Sequence, residues 1–69
     1  MATEIIFVVE ESPEGVFEAK ALGHSIYTQG ETVEEIREAT KDAVSCHFDE
    51  NDRPRIIRLH WVKDELIAV

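Results

Sequence analysis

The stretch Gln29–Glu50, QGETVEEIREATKDAVSCHFDE, decides the fold, because it is a clear helical pattern in a chain that otherwise reads as strand. Thr32 and Glu35 form a Thr-x-x-Glu capping box, in which each residue satisfies the other's backbone donor left without a partner by the first turn. Val33, Ile36, Ala39, Thr40, Ala43, Val44, His47 and Phe48 recur at helical spacing and predict the buried stripe. Glu34, Glu38, Lys41, Asp42 and Ser45 fall on the face toward water. Asn51 and Asp52 suit a turn and Pro54 blocks continuation, so the helix is expected to stop near Phe48–Glu50.

On the N-terminal side, Ile5–Val9 is β-branched and aromatic with apolar residues at every position, the pattern of a strand buried on both faces. Ser12-Pro13-Glu14-Gly15 is turn chemistry, and Val16–Leu22 alternates apolar with charged residues. These two segments predict a hairpin. Gly23-His24-Ser25 breaks the run, Ser25–Thr28 reads as a short third strand, and Gln29-Gly30 as a second break. On the C-terminal side, Arg55–Val62 is a fourth strand with Ile57, Leu59 and Trp61 on one face and Ile56, Arg58, His60 and Val62 on the other. Lys63-Asp64-Glu65 reads as a turn and Leu66–Val69 as a short final strand. The expected fold is therefore a single α+β domain over residues 1–69, two-layered, with the order β-β-β-α-β. A right-handed crossover through the helix places the fourth strand parallel to the first. The sheet order is then 3-2-1-4, with the two-sided apolar strand in the middle.

A chain of 69 residues buries only about 60% of the surface its unfolded form exposes, so it is marginal alone. Cys46 is the single cysteine, which rules out a disulfide within the chain and suits a reducing compartment, so a cytoplasmic location is expected. One helix covers one face of a four-stranded sheet, and the first strand is apolar on both. Large exposed apolar patches are unusual on monomers, so a homo-oligomer is expected, most simply a dimer. Ile57, Leu59 and Trp61 on the fourth strand are the candidate seam, by edge pairing or by face packing.

The 15 acidic residues outnumber the 7 basic ones and give a formal charge of -8. Nucleic-acid binding draws most of its affinity from Lys and Arg neutralising phosphates, so direct binding of nucleic acid is not expected. A basic protein is the better electrostatic match. Ile5–Val9 is too short for a signal peptide's apolar region and lacks a basic flank, and no segment approaches the roughly 20 apolar residues of a membrane span.

Catalytic chemistry finds little support. Cys46 and His47 are neighbours and point about 100° apart on a helix, and zinc-type spacings are absent, so no metal site is expected. Cys46 sits away from a helix N-terminus and reads as a partly buried, unactivated thiol. The three glycines fall at predicted turns and make no phosphate loop, so no cofactor is expected.

The string Ala21–Val44, ALGHSIYTQGETVEEIREATKDAV, resembles the N-terminal domain of HicB-like antitoxins. Gly30, Glu31, Thr32, Glu34 and Glu35 stand where that family closes a short strand and begins its helix, and Asp42, Ala43 and Val44 match its acid-Ala-aliphatic run. The resemblance covers roughly Ile5 to Phe48. It implies a β-β-β-α-β fold described as a degraded ribonuclease H fold, and a small basic mRNA-cleaving toxin as partner, neutralised by covering its active surface. Gly23-His24-Ser25 departs from the family's proline-glycine turn. No DNA-binding module is read within residues 1–69, so operator binding is not expected. Phe7 stands at the centre of the first strand, where the nuclease fold would carry a metal-binding acid, so the domain reads as catalytically inert. Two readings follow. One is a non-enzymatic protein-binding domain, antitoxin-like or a stand-alone orphan, with Glu34, Glu38 and Asp42 as its partner-facing acidic helix face. The alternative is a remnant metal-dependent nuclease using Glu10, Glu11 and Asp64.

Overall fold

The computed structural model describes residues 3–69, which run β1 (Glu4–Glu11), β2 (Phe17–Ala21), β3 (Tyr27–Gly30), α1 (Val33–His47) and β4 (Ile56–Val62). The sheet order is β3-β2-β1-β4, with β1 antiparallel to β2, β2 antiparallel to β3, and β4 parallel to β1. This is the α+β order that the sequence predicts.

The two faces of β1 differ in depth. Ile5, Phe7 and Val9 are buried under the helix with Ala19, Ile26, Ile36 and Val44. Ile6 and Val8, on the opposite face, are only half-buried. Thr40 is the polar residue in this core, and its hydroxyl donates to the Arg37 carbonyl at 2.8 Å, which removes the cost of an unpaired buried donor.

Strand β3 begins two residues later than the sequence suggests. The Ala21 N–H donates to the Ile26 carbonyl at 3.0 Å and closes the turn, with Gly23 at φ +80°. The ladder therefore starts at Tyr27 and runs through Gln29 and Gly30, which pair with Glu18 and Phe17. Gly30 is thus not at a turn but in the sheet. A Cβ there would lie 2.8 Å from the Ile36 backbone nitrogen and 3.0 Å from Glu35, so glycine lets the strand end lie directly under the helix start.

The cap forms with one change. Thr32 Oγ1 accepts from the Glu35 N–H at 3.0 Å, but Glu35 Oε2 accepts from the N–H of Glu31, at 2.6 Å, not from that of Thr32. The reciprocal bond thus lands one residue earlier, on the chain entering the helix. The helix closes at His47, with the Phe48 N–H donating to the Val44 carbonyl, and Pro54 is buried beyond it. His47 is exposed and leaves the predicted stripe. At the last turn its ring meets Phe48 edge-on, centroids 4.9 Å apart.

The expected final strand does not form. Lys63–Val69 contains neither the turn nor the pairing read from the sequence. Lys63-Asp64-Glu65 carries no Gly, Asn or Pro, so only Asp64 favours a reversal there, and the segment does not fold back on β4. It is exposed throughout, and the molecule is elongated, 52 Å by 20 by 18 Å.

Candidate functional site

Helix α1 stands over the sheet with its acids in a row. Glu34, Glu38 and Asp42, spaced four apart, form a ridge on the solvent side, all three exposed. On the β3 flank of this ridge lies a shallow hollow that also takes in Glu31, Glu35, Val16 and Gly30. The sequence reading named the ridge but not Glu31 or Glu35. These enter because Gly30 brings the strand end against the helix start, a contact with no signature in residue spacing. Lys41 Nζ lies 3.1 Å from Glu38, but both side chains are about two-thirds exposed, and such a pair holds little energy.

On the β4 flank, a second hollow brings Arg37, Lys41 and Arg55, with Glu34 and Glu38 of the ridge, around Ile57 and Leu59. The register of β4 with β1 sets Ile57, Leu59 and Trp61 opposite Ile5, Phe7 and Val9, so all three lie on the helix side of the sheet. Ile57 and Leu59 are half-buried against the core. Trp61 meets the Phe17 ring edge-on at 5.6 Å yet remains 43% exposed. The bare face opposite the helix carries Ile6, Val8, Ile56 and Val62 instead, with Arg58 Nη2 donating to Glu4 Oε2 across it at 2.8 Å. That bond holds the Glu4 carboxyl below its ordinary range and raises Arg58. At the other end of this face, the Tyr27 hydroxyl donates to Glu18 at 3.0 Å, which raises the phenol above its ordinary value.

Glu10, Glu11 and Asp64 border one open hollow beside Phe17, Trp61 and Arg37. They share its rim, but among the described residues no three His, Cys, Asp or Glu side chains converge closely enough to hold a metal ion. Cys46 is exposed, not partly buried, because it follows Val44 and Ser45 onto the outer side of the helix. His24 and His47 come together around Phe48, with ring centroids 5.2 Å (His24–Phe48) and 6.1 Å (His24–His47). Nothing in their sequence spacing pairs them. Among the described residues no helix is long and apolar enough to cross a membrane.

Known proteins share this chain's sequence over most of its length. A protein of the UPF0150 family from Thermotoga maritima is 48% identical over 66 residues, which are 96% of this chain and 93% of the relative. The chain belongs to the UPF0150 family. A second UPF0150 protein, from Archaeoglobus fulgidus, is 54% identical over 52 residues, 75% of this chain and 77% of its own. No family model matches the chain, and no solved structure matches it. For this UPF0150 member, the arrangement of side chains offers an acidic ridge over one hollow, a cleft of mixed charge and apolar floor beside the edge strand, and a bare sheet face.

Proposed function

We propose that this protein is a non-enzymatic, cytoplasmic HicB-like binding domain that assembles as a homo-oligomer. Its partner is a small basic mRNA-cleaving protein, which it neutralises by covering the active surface. The observation that carries the reading is the ridge Glu34-Glu38-Asp42 with Glu31 and Glu35 around one shallow hollow, on a chain of charge -8. Five carboxylates in one concave patch set up a negative potential that steers a basic partner and penalises an acidic one. The patch is also open, as a protein-sized partner requires.

The test is to look beside this chain's gene for a short basic protein and to titrate this chain with any such protein found. A stoichiometric complex that stops RNA cleavage is expected. Glu34→Gln/Glu38→Gln/Asp42→Asn should weaken it by about tenfold or more, mostly through slower association at low salt. Unchanged affinity in that variant would overturn the assignment of the ridge. Divalent-metal-dependent RNA cleavage by this chain itself, lost in Glu10→Ala, would replace the reading with the nuclease one.

A further inference from the structure

Among the described residues no element covers the outer edge of strand β4. Its seven residues, IIRLHWV, contain no Pro or Lys, and its ladder with β1 runs through seven consecutive pairs without a bulge. Its outer edge therefore presents unpaired backbone groups beside apolar side chains, an arrangement that folded proteins normally cover or interrupt. Directly after it comes Lys63–Val69, which is exposed throughout, pairs with no strand and is apolar at its far end, with Leu66 97% and Ile67 74% exposed. An uncovered edge and an uncovered strand-like arm adjoin in one chain, and the arm is not turned back onto its own edge.

We propose that two copies exchange these arms, Lys63–Val69 of each adding as an antiparallel strand to the β4 edge of the other about a twofold axis. The proposal rests on the oligomeric part of the function proposed above, and it names the seam. Twofold strand pairing is self-complementary, so one residue sits opposite itself and its neighbours pair across it. Placing Asp64 at that centre sets Lys63 opposite Glu65, Val62 opposite Leu66, Trp61 opposite Ile67, His60 opposite Ala68, and Leu59 opposite Val69. Opposite charges meet twice, and each large apolar side chain of the arm meets an apolar or aromatic one. Ile67 and Val69 then cover Trp61 and Leu59, the edge-strand residues that α1 leaves partly open. The cost is Asp64 facing Asp64, a like-charge pair flanked on both sides by Lys63–Glu65 pairs. Centring on Lys63 instead faces Trp61 with Glu65 and Val62 with Asp64, and loses the match. The apolar pattern thus selects the register, as it does within sheets generally.

The register makes the test specific. Directly opposed strand residues have Cα atoms about 4.5–5.5 Å apart, within the span of a disulfide. With Cys46→Ser as background, Asp64→Cys should oxidise to a covalent dimer about tenfold or more faster than Lys63→Cys or Glu65→Cys, which face a different residue. Ile67→Asp changes a side chain that a single copy leaves in water, so the monomer's fold is unaffected. It should raise the dimer dissociation constant in sedimentation by about tenfold or more. A wild-type chain that sediments at micromolar concentration as a 7.9 kDa monomer would overturn both the oligomer and the arm exchange. A dimer that Ile67→Asp leaves intact, or equal cross-linking at the three positions, would keep the oligomer and remove the exchange.

Discussion

The two edges of the sheet are built differently. β3 has four residues, ends at a glycine pressed under the helix, and passes straight into the helix cap. Its length and its covered end leave little backbone for another strand to join. β4 has seven residues, an unbroken ladder, and the helix stands away from its outer side enough to leave a cleft lined by Arg37, Arg55, Ile57 and Leu59. One edge is closed by local contacts within about ten residues of sequence, and the other is left open. The difference teaches that the domain places its stability on the β3 side and its unpaired surface on the β4 side. A marginal chain of this size has few large side chains to distribute.

The largest expected effect tests that distribution directly. Ile36 is fully buried on the helix, and Ile57 is half-buried on β4. Ile36→Ala should cost about 2–5 kcal/mol, because it removes methyl groups and leaves a cavity that the packed layers cannot close. Ile57→Ala should cost roughly 1 kcal/mol, since water already reaches part of the side chain. Urea midpoints at equal slope read both. Equal losses would show that β4 is as deeply anchored as the helix, and the contrast between the edges would fail.

A smaller effect is expected at the closed edge itself. Gly30→Ala puts a Cβ against the backbone of Glu35 and Ile36, which cannot swing aside as a side-chain tip can. The strand end and the helix start must separate, at a cost of about 1–3 kcal/mol. Hydrogen exchange sharpens this: protection should fall first at Glu35 and Ile36, whose N–H groups donate to Thr32. Protection lost evenly along the helix would mean that Gly30 matters only to global stability.

Much of this architecture is legible in the sequence, and what is not has physical reasons. The helix start is readable because Thr32 and Glu35 act within one turn, and the strand order because β1 alone is apolar at alternate positions of both faces. Gly30 was legible as a glycine but not as a close contact, since spacing along the chain says nothing of what lies overhead. Leu66–Val69 has the composition of a strand and stays unpaired, because a strand needs an edge within reach as well as a propensity. Among the site residues, the ridge Glu34-Glu38-Asp42 follows from helical period alone. Glu31 and Glu35 join it only through the folded contact at Gly30. That Ile57, Leu59 and Trp61 share the helix side of the sheet follows from the parallel register with β1, a fact fixed by three-dimensional pairing.

The smallest expected effect lies on the bare face, where each edge has a polar tie. At the β3 edge the Tyr27 hydroxyl bonds Glu18, and at the β4 edge Arg58 bonds Glu4 from a position 54 residues away in sequence. The second tie titrates in an accessible range. The Arg58 guanidinium holds the Glu4 carboxyl below its ordinary 4.5, so the folded chain binds that proton less readily than the unfolded chain does. Its contribution is therefore fully present above the unfolded value and is lost as pH falls through the lower folded one. Glu4→Gln removes this dependence, so the wild-type and variant urea midpoints should differ at pH 7 and converge as acidification carries the pH below the lowered Glu4 value. Arg58 is exposed and Glu4 only half-buried, which keeps the difference small and makes it shrink in salt. A difference that stays constant with pH would mean that Glu4 acts by packing on β1, and that the open edge of the sheet is held by its backbone ladder alone.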